Sequence, residues 1–210
     1  MGSVPLHIDE PAGGQPARTI VLAHGAGAGM DSAFMREMAQ ALVAESFRVV
    51  RFDFPYMQER THTGKRGGRP DSPAALEAAW IRVVEQLGDA SSVVIGGKSM
   101  GGRIASMVAD RLGVKGLVCL GYPFHPAGNP QTLRVAHLRE LRTPCLILQG
   151  ERDALGGREE ISRYVLSPSI RIVYLKDGDH SFKPRKDSGT TYASNMALAM
   201  GEVASFCRAL

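Results

Sequence analysis

The sequence predicts an α/β fold built on a mostly parallel, doubly wound sheet, and three observations carry that prediction. Short β-branched runs alternate with amphipathic stretches at even intervals. Most of those runs are apolar on both faces, as strands covered by helices on two sides must be. The glycine-rich and polar segments follow the strands directly, at the edge where open parallel sheets hold their ligands.

Taken in order, Leu6–Ile8 predicts an N-terminal strand. Ile20–His24, Arg48–Phe52, Val93–Gly96, Leu117–Leu120, Cys145–Gln149 and Arg171–Leu175 predict six more. Leu76, Trp80, Val83 and Leu87 step by helical spacing, as do Ile104, Met107, Val108, Arg111 and Leu112. Tyr192, Met196, Ala199, Val203, Phe206 and Leu210 extend a third stripe over five turns. Two segments predict long loops: Phe54–Ser72, which is glycine-rich and basic, and Tyr122–Thr143, with one short helical candidate around Thr132–Leu141. No repeat or linker interrupts the alternation, so residues 1–210 are expected to form a single domain.

Composition narrows the function classes. With 44% hydrophobic and 22% charged residues in 210, the chain can bury a sizeable core and is not a disordered polymer. A net charge of +4 permits anionic substrates without demanding nucleic acid. Cys119, Cys145 and Cys207 are odd in number, far apart and set among apolar residues, which predicts free thiols in a reducing cytoplasm. No apolar run approaches transmembrane length, the residues from Met1 to Pro5 lead to no expectation of a signal peptide, and no metal-ligand spacing is seen. Neither membrane, nucleic acid, metal nor organic cofactor is therefore expected as a partner.

The sharpest motif is Gly97-Lys98-Ser99-Met100-Gly101, which follows Val93-Val94-Ile95 and opens a helix. Gly-x-Ser-x-Gly at a strand–turn–helix junction is the nucleophile elbow, where a serine sits in a turn too tight for flanking side chains. A phosphate-binding loop would need glycine at position 92, which is Ser92. His24-Gly25-Ala26-Gly27-Ala28-Gly29 follows an earlier strand. Its backbone N–H groups could meet an oxyanion, with His24 structural. A dinucleotide reading ending on Asp53 competes, but the third glycine is replaced by Met30. Downstream, Asp153 follows the strand at Leu146–Gln149, and His180 follows the strand at Ile172–Leu175. Ser99, Asp153 and His180 then stand in the order nucleophile, acid, base, each beyond a strand's carboxyl end. Glu151, Asp177, Asp179, His62 and His125 fit those roles less directly, and His7 and His137 read as surface residues.

These segments resemble one family. HGAGAGMDSAFM, RFDFPY, GGKSMGGRIAS, GYPFHP, QGERD and DGDHSF are similar to compact α/β-hydrolases of the dienelactone-hydrolase-like group, along nearly the whole chain. The resemblance implies an α/β-hydrolase fold, and the 21 residues of Tyr122–Arg142 are too few to build a cap domain. It implies a nucleophile at Ser99, an acid at Asp153 and a base at His180, with oxyanion donors at Met100 and at Ala26 or Gly27. Gly25, Tyr122 and Lys98, beside those positions, are the expected substrate contacts. Dienelactone hydrolases proper carry a cysteine where this chain has Ser99. The expected activity is serine hydrolysis of a neutral or anionic small-molecule ester or thioester, of carboxylesterase or thioesterase type. A second class stays open: a hydrolase-fold interaction protein with an idle site. The basic residues Arg60, Lys65, Arg66, Arg69, Lys98, Lys183, Arg185 and Lys186 are expected near the mouth.

Overall fold

The computed structural model describes residues 3–64 and 69–210. Seven strands form one sheet: β1 (Leu6–Asp9), β2 (Thr19–Ala23), β3 (Arg48–Phe52), β4 (Val93–Lys98), β5 (Gly116–Leu120), β6 (Cys145–Gly150) and β7 (Ile170–Leu175). Their spatial order is β1-β3-β2-β4-β5-β6-β7. All neighbours run parallel except β1, which pairs antiparallel with β3 at one edge.

Among the described residues, six α-helices accompany the sheet: α1 (Ala33–Ala44), α2 (Pro55–Thr63), α3 (Pro73–Leu87), α4 (Met100–Leu112), α5 (Arg158–Ile161) and α6 (Tyr192–Ala209). The apolar stripes of α3 and α4 close one face of the sheet around Trp80, Phe52 and Ile104. Those of α1 and α6 close the other around Met38, Leu42, Met196 and Val203. Helix ends follow local chemistry. Ser72 accepts the Ala75 N–H ahead of Pro73 at the start of α3, and Thr191 and Ser194 cap α6 reciprocally. The middle strands β2, β4, β5 and β6 are almost wholly buried, which explains their unbroken apolar runs.

Two expectations need correcting. Phe54–Ser72 is not a loop throughout, because α2 occupies its first half. Pro55 presets the first turn, and Gly64, left-handed at φ 67°, ends it. Only Tyr56 and Met57 of α2 are buried, so no stripe marks the helix in the sequence. Lys65, Arg66, Gly67 and Gly68 lie outside the described residues. The helix expected around Thr132–Leu141 reduces to one 3₁₀ turn at His137–Arg139. Val135, Leu138 and Leu141 are the buried anchors there, and their spacing of three suits irregular backbone better than an α-helical face. Helix α1, which the stripes named above omit, packs through Met35, Met38, Ala39 and Leu42.

Candidate active site

The site lies at the carboxyl edge of the sheet, where β2, β4, β6 and β7 hand over to loops. Ser99 is the residue between β4 and α4, with φ 52° and ψ −115°. A non-glycine residue held there is strained, and such strain persists only where the surroundings enforce it. The enforcement is visible at two glycines. A Cβ on Gly97 would stand 2.1 Å from the Ala23 carbonyl oxygen, and one on Gly101 would stand 2.4 Å from it. Only glycine lets β4 and α4 approach β2 this closely, so the glycine spacing of the motif is a packing requirement.

The Ser99 Oγ lies 2.8 Å from Nε2 of His180. The other ring nitrogen, Nδ1, lies 2.7 Å from Asp153 Oδ2. An ionised carboxylate only accepts, so Nδ1 carries the proton and Nε2 offers its lone pair to the serine hydroxyl. Asp153 is buried among further donors: Gln149 Nε2 reaches its Oδ2 at 2.9 Å, and the Leu155 N–H reaches its Oδ1 at 2.8 Å. The structure thus brings together Ser99, Asp153 and His180 from three separate loops. The rivals are engaged elsewhere. Glu151 pairs with Arg158 and the Asp177 N–H. Asp177 binds Arg185, and Asp179 caps the turn after β7 by accepting from the Ser181 and Lys183 N–H groups.

The glycine-rich segment after β2 sits against this constellation. A Cβ on Gly25 would lie 3.6 Å from that of Ser99, and Ala26 lines the cavities on both sides of the serine. His24 is structural, as expected: its Nδ1 donates to the Gly25 carbonyl at 2.6 Å, and its Nε2 accepts the Phe54 N–H at 3.1 Å. Burial holds its pKa below the ordinary value. The Tyr56 hydroxyl donates to the Gly25 and Ala26 carbonyls, and burial raises its pKa to about 12. In a trans peptide the carbonyl and the next N–H point opposite ways, so these bonds aim the Ala26 and Gly27 N–H groups away from Tyr56. No described residue accepts from those N–H groups or from that of Met100, the first residue of α4. Asp53 accepts the Met30 N–H at 2.8 Å, which commits its carboxylate to the loop rather than to a ribose.

One expected substrate contact, Tyr122, is corrected, and a second, Lys98, has a further engagement. Tyr122 is wholly buried. Its N–H donates to Gln149 Oε1 and its hydroxyl to the Arg134 carbonyl, so its side chain braces the loop after β5 instead of facing a ligand. Lys98 borders the smaller cavity, but its Nζ donates to the His180 carbonyl at 2.6 Å and lies over the Phe34 and Phe182 rings. Burial lowers its pKa to about 8, against the pull of Asp153 and Asp179. It is a strut for the His180 loop at the edge of that cavity. Arg185 is likewise bound to Asp177, and Arg60 stacks on Tyr56.

The sequence reading missed Gln149, Arg103 and Arg134. Gln149 is the polar residue ending the apolar run Leu146-Ile147-Leu148, a signal that could have found it. Arg103 stands one helical turn beyond Ser99 and therefore shares its face of α4, a second missed signal. His137, expected on the surface, is half-buried, with Nε2 2.8 Å from Ser106 Oγ.

A family model described as an alpha/beta hydrolase domain matches residues 16–208. The chain belongs to that family. Solved structures agree on the fold. A serine hydrolase without lid from Xanthomonas campestris superposes with TM-score 0.71 at 19% identity, over 97% of this chain and 88% of that one. A dienelactone hydrolase from Anabaena variabilis gives 0.67 at 21%, over 93% and 88%. An esterase domain from Rhodothermus marinus gives 0.66 at 18%, over 96% and 91%. Like the lidless relative, this hydrolase-family chain carries no cap between β5 and β6: the single turn His137–Arg139 is the only helix described there. No described helix is long and apolar enough to cross a membrane.

Proposed function

We propose that this chain is a serine hydrolase that cleaves a carboxylic ester or thioester through an acyl-enzyme. The observation that carries the reading is the continuous hydrogen-bonded line from Ser99 through His180 to Asp153, at 2.8 and 2.7 Å. In the proposed reaction Ser99 Oγ attacks the carbonyl carbon while His180 Nε2 takes its proton. Asp153 stabilises the imidazolium that results. The N–H groups of Met100 and of Ala26 or Gly27 hold the oxyanion, each contributing about 2.7–4 kcal/mol to the transition state. His180 then protonates the leaving alcohol or thiol, and water, activated by the same imidazole, releases the acid.

Substrate size follows from the openings around Ser99. One cavity, of about 460 Å³, lies toward Met100, and another, of about 350 Å³, lies toward Phe34. Both open to solvent and no described helix covers them, which favours short acyl and alcohol groups over lipid chains. The same reading has the chain working in a reducing cytoplasm, with which its three buried free thiols agree.

The test is a panel of short-chain esters and thioesters assayed on wild type beside Ser99→Ala, with fluorophosphonate labelling in parallel. Turnover and labelling that both vanish in the variant are the expected result. A wild-type protein that neither turns over nor labels favours the interaction-protein reading.

A further inference from the structure

The larger cavity beside Ser99 has an electrostatic character that ester hydrolysis alone does not require. Its wall carries three guanidinium groups, on Arg69, Arg103 and Arg134, against one carboxylate, Asp71. Asp71 is itself engaged by the Tyr56 N–H at 2.9 Å. Among the described residues, neither Arg103 nor Arg134 makes a salt bridge or a side-chain hydrogen bond. The Nε of Arg103 is fully buried and without a partner. Buried donors are nearly always satisfied, and an arginine is the donor least suited to being left alone.

Arg103 and Arg134 also feel each other. Burial first, and the Arg103 charge second, hold the Arg134 guanidinium below its usual range. His137 is lowered in the same way and by the same two causes. Two cations facing one cavity, with no described counter-charge bonded to either, form a place for an anion. Apart from Ser99 and His125, whose ring is paired with Glu160, the remaining wall, including Pro73, Leu76, Pro123 and Leu155, is apolar. The charge therefore stands in surroundings that strengthen it.

We propose that this cavity is a carboxylate subsite, in which Arg103 and Arg134 grip an anionic group on the substrate while Ser99 attacks its ester or thioester bond. The inference rests on the serine-hydrolase reading and adds the substrate class. Arg103 lies four residues beyond Ser99 on one helix face, a rise of about 6 Å. That span fits a carboxylate separated from the scissile carbonyl by a few carbons, as in a short dicarboxylic half-ester. A planar guanidinium suits such a group because it can bind both oxygens at once. The second cavity, at Ser32, Phe34 and Met35, takes the other half of the substrate. Arg103 and Arg134 are thus specificity-determining residues that sequence charge counts alone did not single out.

Two matched pairs of probes test this. Mono-p-nitrophenyl glutarate against p-nitrophenyl valerate places the charge on the acyl side. 4-Acetoxybenzoate against phenyl acetate places it on the leaving side. In one pair, wild type should prefer the anionic ester, and Arg103→Met or Arg134→Met should reduce the anionic-to-neutral ratio of kcat/KM by about 10–100-fold. Arg103→Lys should restore part of that ratio. A ratio unchanged in both pairs overturns the subsite, while Ser99-dependent turnover of the neutral esters still upholds the hydrolase reading. If no ester turns over, glutarate binding is read by thermal shift. Stabilisation of wild type that Arg103→Met abolishes upholds the subsite alone, and its absence overturns it.

Discussion

Two serine–histidine pairs occur in this molecule at the same separation. Ser99 Oγ meets His180 Nε2 at 2.8 Å, and Ser106 Oγ meets His137 Nε2 at 2.8 Å. Their surroundings make them opposites. The Ser106 hydroxyl donates its one proton to the Arg103 carbonyl at 2.6 Å, so it can only accept from the ring. The nearby Tyr122 hydroxyl likewise gives its proton to the Arg134 carbonyl. His137 Nε2 must then be the protonated nitrogen, and it cannot act as a base toward Ser106. No described carboxylate backs that ring, and burial together with the Arg103 charge lowers its pKa. At the other pair, Asp153 takes the Nδ1 proton and leaves Nε2 free to accept. Ser106 lies inside α4 and is buried, whereas Ser99 stands on a strained turn between two cavities. A short Ser–His distance is common to both. What separates them is where each proton already resides.

The comparison breaks first at the hydroxyls. Ser99→Ala and His180→Ala should each lower kcat on a short p-nitrophenyl ester by about 10⁴–10⁶-fold. Ser106→Ala and His137→Ala should stay within about threefold, because neither touches the reacting atoms. A collapse of activity in Ser106→Ala with Ser99→Ala still active would reverse the assignment. Asp153→Asn comes next, at about 10⁴-fold, since an amide donor facing Nδ1 forces the proton onto Nε2. That variant would give His180 the tautomer His137 already has, and ¹⁵N chemical shifts of the ring would report the exchange.

A smaller effect tests the strut beneath the first pair. Lys98 falls from an ordinary pKa of 10.5 to about 8 in the folded chain. Between those values the unfolded state holds a proton the native state has lost, so this group makes stability rise with pH. The slope is at most about 1.4 kcal/mol per unit. Below pH 8 the penalty for burying the charge is fully present. Burial raises the pKa of Cys145 and Cys207, which act in the opposite sense, so wild type must be compared with Lys98→Met. Urea unfolding under reducing conditions should show wild type gaining on the variant from pH 7.5 to 9.5. A constant difference would mean that Lys98 does not titrate there. The smallest effect belongs to the second pair: Ser106→Ala should cost about 1 kcal/mol of stability with activity kept.

Much of this was legible in the sequence, for reasons that can be stated residue by residue. Strands buried on both faces announce themselves as apolar runs, so β2 to β6 were readable, while the partly exposed edge strands β1 and β7 were readable only as short apolar stretches. The elbow glycines were readable because two backbone carbonyls forbid any Cβ there. Asp153 and His180 could be found from their places after β6 and β7. Helix α2 was not readable, since its burial rests on two adjacent residues and its ends on Pro55 and Gly64. The inward turn of Lys98 depends on Phe34 and Phe182, from opposite ends of the chain. Tyr122 read as a lip of the site because it follows β5. Whether it faces out or in depends on Gln149, 27 residues away.

The glycine-rich segment Gly25–Gly29 has a consequence for how the rate would be achieved. As sequence it is among the most pliable stretches in the chain. Folded, it is tethered at its carbonyls by His24 and Tyr56 and at its far end by Asp53. In bulk water, dipoles must rotate to meet a newly formed negative charge, and that reorganisation is part of the barrier. In the proposed reaction the Ala26 and Gly27 dipoles are aligned before any substrate arrives. The entropy of aligning them is lost during folding, once per molecule, and does not recur with each turnover.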